Sequence, residues 1–121
     1  MADDILTCRA RGRLLDIGTG PGWLLVKLHE KSSDLRLTGL DISAPMITTA
    51  RKNIRRLGLS EHIYFREGTA AHLPFAGNSF DIVVSTGSLH HWKEPVRGLN
   101  EVYRVLCPGG YALIYDLVSD T

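Results

Sequence analysis

The sequence predicts an α/β domain, a doubly wound sandwich with helices on both faces of a parallel sheet. Three observations predict it. Short apolar runs alternate with amphipathic stretches from end to end, and five of these runs have strand length. Parallel neighbours need crossover connections, which those amphipathic stretches supply. The first apolar run ends in a cluster of glycines at the start of a helical stretch, a strand–turn–helix junction.

In chain order, Arg13 to Ile17 reads as a buried strand and Pro21 to Glu30 as a helix with Leu24, Leu25 and Leu28 on one face. Arg36 to Asp41 is the second strand. Ser43 then stands as a helix N-cap with Pro45 in the first turn. That helix carries Met46, Ile47, Ala50, Ile54 and Leu57 at helical spacing and stops at Gly58. Ile63 to Glu67 and Phe80 to Ser85 are the third and fourth strands, separated by a loop through Pro74 and Gly77-Asn78. Pro95 opens a helix with Val96, Leu99, Val102, Tyr103 and Leu106 as its apolar face. Pro108-Gly109-Gly110 breaks it, and Tyr111 to Asp116 is the fifth strand.

A chain of 121 residues fits one domain, residues 1–121. Its 44% hydrophobic and 22% charged content is an ordinary globular mix, which excludes a disordered or collagen-like chain. The net charge of +1 provides no field to gather nucleic acid or acidic membrane, so neither is an expected partner. The local cluster Arg9, Arg11 and Arg13 reads as a solvated arm. Cys8 and Cys107 sit in no metal-ligand spacing, so no metal and no disulfide framework are expected, and a reducing compartment is. No apolar run approaches the roughly 20 residues that cross a bilayer. Met-Ala-Asp-Asp lacks the regions of a signal peptide, and the expected location is cytoplasmic.

The densest chemical signal is Leu14-Leu-Asp-Ile-Gly-Thr-Gly-Pro-Gly22. Gly18, Gly20 and Gly22 permit a sharp turn and close approach of a ligand to the backbone. The helix that follows offers unpaired N–H groups. The loop ends Gly22-Trp23-Leu24 without Gly-Lys-Ser/Thr, which excludes a triphosphate P-loop. A dinucleotide fingerprint asks for its third glycine where Trp23 stands, which weakens a nicotinamide–dinucleotide reading without removing it. Asp41 ends the second strand 21 residues beyond Gly20. An acid there accepts hydrogen bonds from ribose hydroxyls, so an adenosine-bearing ligand is expected whichever class applies.

Together these segments resemble the class I S-adenosylmethionine-dependent methyltransferases, in particular the small-molecule, ubiquinone-biosynthesis-like type. Asp16, Gly18, Gly20 and Gly22 are similar to the family's first motif. Glu67-Gly-Thr-Ala-Ala-His-Leu-Pro-Phe75 is similar to its adenine-edge segment, with Thr69 where an acid is common. Phe80-Asp-Ile-Val-Val-Ser85 followed by Leu89-His-His-Trp92 resembles the fourth-strand motif, and Leu106-Cys-Pro-Gly-Gly110 the turn before strand five. The resemblance spans residues 13–116.

The resemblance implies a Rossmann-like sheet in the order 3-2-1-4-5, with the ligand in the crevice where strands one and four diverge. It implies S-adenosylmethionine as cofactor, S-adenosylhomocysteine as product and a small-molecule methyl acceptor. The implied cofactor residues are Asp16 beside the methionine moiety, Gly18, Gly20, Gly22, Asp41, Ile42, Thr69, Ala70, Ser85 and Leu89. His90 and His91 are the candidate catalytic bases. Trp23 and Trp92 read as packing residues.

Two alternatives stay beside the enzyme: a non-catalytic module that binds either sulfur nucleoside, and a fragment of a dinucleotide-dependent oxidoreductase. The family usually adds N-terminal lid helices and further C-terminal strands to a seven-stranded sheet. The chain is therefore expected to lack both, and to leave strand five as an uncovered edge open to self-association.

Overall fold

The computed structural model describes residues 12–86 and 92–115. Its sheet has five strands: β1 (Gly12–Ile17), β2 (Leu35–Asp41), β3 (Ile63–Glu67), β4 (Phe80–Thr86) and β5 (Leu106–Tyr115). Among the described residues three helices join them: α1 (Trp23–Lys31), α2 (Ala44–Arg56) and α3 (Pro95–Val105). The order is β3-β2-β1-β4-β5 and each neighbouring pair is parallel, as expected.

β1 lies in the middle, and its residues Leu14 to Ile17 are all buried because helices or loops cover both faces. Alternation along the strands divides the core in two. Leu14, Leu37, Ile82 and Val84 pack with Leu25, Leu28, Ile47, Ala50 and Ile54 under α1 and α2. Leu15, Ile17, Leu40 and Val83 pack on the other face with Leu73, Val102 and Val105, beneath α3 and the segment before β4. A pleated strand sends successive side chains to opposite faces, so one apolar run serves both layers.

Local chemistry sets the helix entrances. Ser43 caps α2, its Oγ accepting from Met46 N at 3.3 Å, and Pro45 fits the first turn, where no intrahelical N–H is needed. α1 starts at Trp23 rather than Pro21, because Gly22 adopts φ 88° as its N-cap. Its buried face is Leu25, Val26 and Leu28, with Leu24 partly covered.

Three expectations are corrected. α3 buries Gly98, Val102 and Val105, leaving Val96, Leu99 and Tyr103 exposed at 72%, 44% and 83%. The reason is a notch: a Cβ on Gly98 would sit 2.5 Å from Trp92 Cε3, so the bare glycine admits the indole and turns the helix toward it. Trp23 is exposed at 53% and does not pack, whereas Trp92 does. Pro108-Gly109-Gly110 does not separate α3 from β5. The strand starts at Leu106, pairs with Phe80, and resumes with Tyr111 opposite Ile82, so the breaker is absorbed as a bulge.

The two sheet edges differ. β3 ends in Arg66-Glu67, while β5 has no charged residue from Leu106 to Tyr115. Of the earlier candidates, Cys8, Arg9, Arg11, Leu89, His90, His91 and Asp116 lie outside the described residues. Among the described residues no helix is long and apolar enough to cross a membrane.

Candidate functional site

A cavity of about 660 Å³ opens at the carboxyl ends of the strands, where β1 and β4 part. This is the switch point of a doubly wound sheet, where connections on either side run to opposite faces and leave a crevice. Gly18, Asp41, Ile42, Thr69 and Ala70 line it, so five expected cofactor residues share one wall system. Thr86, Trp92, Lys93 and Glu94 close it from the β4 side.

The glycine turn is held by β2. The Leu40 carbonyl accepts from Gly18 N at 2.8 Å and Thr19 N at 2.9 Å. Gly20 has φ 55°, and a Cβ there would find only Met46 Cε at 3.5 Å, so backbone conformation more than crowding calls for glycine. Gly22 is different. Its Cβ would lie 2.9 Å from Phe65 Cζ, so it seats the helix start and is buried away from the cavity.

Asp41 joins the walls. Its Oδ2 accepts from Gly20 N at 2.9 Å and its Oδ1 from Ser43 N at 3.0 Å. Its carbonyl accepts from Gly68 N at 3.0 Å, which ties the end of β3 to the end of β2. An ionised carboxylate accepts at about four lone-pair positions, so two such bonds leave capacity for a pair of hydroxyls.

Asp16 is the electrostatic anomaly. Only 1% exposed, it holds Oδ1 outside good hydrogen-bond geometry, with the Thr19 hydroxyl beside it as a weak donor. Burial pushes its pKa up to about 7; the nearby Thr19 hydroxyl opposes the shift and the Asp41 charge adds to it. A buried acid served by one weak hydroxyl is costly, and in native proteins such a group points to strain or a ligand. It suits a cationic group.

Thr69 uses its hydroxyl within its own turn, accepting from Ala71 N at 3.3 Å. The hydroxyl proton remains available to donate. Ser85 does not reach the cavity: it is fully buried within β4, between Ile17 and Ile114, and the next residue, Thr86, faces the opening. Leu89, His90 and His91 lie outside the described residues, so no base is placed. Sequence reasoning missed Trp92, Lys93 and Glu94 as walls. Trp92 lies at the end of the fourth-strand motif, and its seat against Gly98 is legible only once α3 is packed; Lys93 and Glu94 carry no signal.

A family profile described as a methyltransferase domain matches residues 15–114. A demethylmenaquinone methyltransferase of Lactiplantibacillus plantarum is 34% identical over 101 residues, covering 83% of this chain and 43% of that protein. The enzyme of the same name from Thermus thermophilus is 33% identical over 115 residues, covering 95% and 51%. The crystal structure of a candidate S-adenosyl-L-methionine-dependent methyltransferase from Methanococcus maripaludis superposes with a TM-score of 0.88. It is 34% identical, with 93% of this chain and 52% of that one covered. The chain thus spans about half the length of the curated relatives it matches. With its sheet order, glycine turn and acid at the end of β2, the chain belongs to the class I S-adenosylmethionine-dependent methyltransferase family.

Proposed function

We propose that this chain forms the cofactor-binding core of an enzyme that methylates a small molecule, with a quinol ring carbon as the acceptor. The observation that carries the cofactor reading is Asp41, fixed between the glycine turn and the entrance of α2 with acceptor capacity facing the cavity. The names of the two curated relatives, demethylmenaquinone methyltransferases, support a quinone-type acceptor, and the reduced ring carbon is our reading of it.

In this reading the Asp41 carboxylate accepts from the ribose hydroxyls. Ile42, exposed at 72% beside it, offers an apolar face to the purine, and the 68–72 segment forms the purine's edge. Asp16, with Oδ1 outside good hydrogen-bond geometry, balances the ammonium of the amino-acid end. The buried Asp16 carboxyl, under-served at Oδ1, and the open glycine turn both fit an adenosyl amino acid that carries two positive centres. When bound, that cofactor supplies a methyl group already activated by its sulfonium. The protein's task is then alignment of the acceptor and exclusion of water from the approach. His90 and His91 are the residues proposed to take a proton from the acceptor.

Isothermal titration with S-adenosylhomocysteine, S-adenosylmethionine and NAD tests the reading. Binding of both sulfur nucleosides and not NAD is the expected outcome. Binding of NAD alone would overturn it. Methyl transfer to a demethylated quinol then tests the acceptor, and transfer confined to unrelated acceptors would refute that part.

A further inference from the structure

The α3 helix carries a polar ridge, bonded to the chain that continues from the cavity's 68–72 wall, that the proposed function leaves unused. Glu101 Oε1 accepts from Leu73 N at 2.9 Å. Arg104 donates through Nη2 to the Leu73 carbonyl at 3.0 Å and through Nη1 to the Phe75 carbonyl at 2.9 Å. The two side chains also bind each other, Arg104 Nε lying 2.6 Å from Glu101 Oε2 and Nη2 3.1 Å from Oε1. Below them the main chain continues the contact, with the Arg104 carbonyl accepting from Asn78 N at 3.1 Å and the Val105 carbonyl from Ser79 N at 2.8 Å.

An i,i+3 ion pair on a helix surface contributes only about 0.2–0.5 kcal/mol, so the pair is not explained by helix stability. What distinguishes it is the destination of its other bonds. Three of them go to the backbone of residues 73–75, the continuation of the segment 68–72 that lines the cavity. That segment makes one isolated bridge, between Thr69 and His72, and no strand pairing of its own. Leu73 is 4% exposed, so its amide and carbonyl sit where unmade hydrogen bonds are expensive. The Arg104 guanidinium holds the Glu101 carboxyl below the usual carboxylate range, which keeps it an acceptor for Leu73 N. Arginine's planar fork is what lets one side chain reach two carbonyls and a carboxylate together.

We infer that Glu101 and Arg104 are positioning residues for the nucleoside end of the cleft. They fix residues 73–75 from α3, and through them the 68–72 wall, and so set affinity for an adenosine moiety that neither residue touches. The inference rests on the adenosyl reading of the cleft.

The test titrates S-adenosylhomocysteine and 5′-methylthioadenosine, which lacks the amino-acid end, into wild type, Glu101→Gln and Arg104→Lys. Both variants are expected to bind each ligand about 5- to 30-fold more weakly, the equilibrium equivalent of one or two lost interactions. Residues 69–75 should also exchange their amide hydrogens faster in the unliganded variants, with β1 and β2 unchanged. Variant affinities within twofold of wild type would overturn the inference and leave the adenosyl reading standing. A loss seen with S-adenosylhomocysteine but not with methylthioadenosine would also overturn it, by moving the effect to the other end of the ligand. Loss of the cooperative unfolding transition in both variants would make the pair a folding element rather than a positioning one. Wild type that binds neither ligand would overturn the adenosyl reading, and this inference with it.

Discussion

Replacing Asp16 by asparagine should make the protein more stable and worse at binding. The shape of the side chain is retained and the ionisable proton is removed. In the folded chain the carboxyl has its pKa raised from 3.8 to about 7, chiefly by burial. An acid with a raised folded pKa binds more protons folded than unfolded, so stability falls as pH rises between the two values. Between pH 5 and pH 8 that loss integrates to about 2–3 kcal/mol. Urea unfolding at pH 5, 6, 7 and 8 reads it directly, because the midpoint moves while the slope with denaturant stays constant. Wild type should lose stability across the series. A carboxamide has no such titration, so Asp16→Asn should lose that part of the slope and exceed wild type at pH 8. Its affinity for S-adenosylhomocysteine should fall by about 1.5–3 kcal/mol, the worth of a hydrogen bond to a charged group. Equal pH slopes in the two proteins would refute the electrostatic argument. An unchanged affinity would refute the ammonium contact.

Other substitutions probe the remaining walls. Asp41→Ala removes the acceptor for Gly20 N and Ser43 N, and should weaken S-adenosylhomocysteine by about 1–3 kcal/mol in a titration; an unchanged isotherm from folded protein would restrict Asp41 to holding the turn. Gly20→Val forces a branched residue to φ 55° and should abolish binding while far-ultraviolet circular dichroism keeps its shape. Wild-type affinity in that variant would remove the turn from the site. The uncharged β5 edge is proposed to pair with a second copy, since β3 at the opposite edge has charges and β5 has none. Light scattering should show association that Ala112→Lys suppresses; a monomer at all concentrations would refute it.

Much of this arrangement was legible from the residues because it is fixed locally. Ser43 and Pro45 announce the entrance of α2, and the glycine turn and Asp41 lie at strand ends that apolar runs already define. The rest depends on tertiary packing that local pattern does not encode. The helical period does not reveal that Trp92, close before Gly98 in the chain, folds back across it, so a helical wheel places Val96, Leu99 and Tyr103 inward when the structure places them outward. Pro108-Gly109-Gly110 reads as a break because its sequence is one. Only the pairing of Leu106 with Phe80 shows that the strand has already begun. No local pattern marks Glu101 and Arg104, whose bonds go to the backbone of residues 73–75.

The position of β1 between β2 and β4 has a kinetic consequence. β2 reaches β1 through one short crossover, but β4 must return from far along the chain, and the bond from Arg13 N to Asp81 Oδ2 spans 68 residues. Pairing over such a distance closes a long loop before any reward arrives, so the β1–β4 seam is expected to zip late and part early. The cavity straddles that seam, with Leu40, Asp41 and Thr69 on one bank and Thr86 and Trp92 on the other. A ligand lodged there would lash together the two halves that the chain is slowest to join. Its stabilisation should therefore appear mostly as a slower unfolding rate, with refolding little changed.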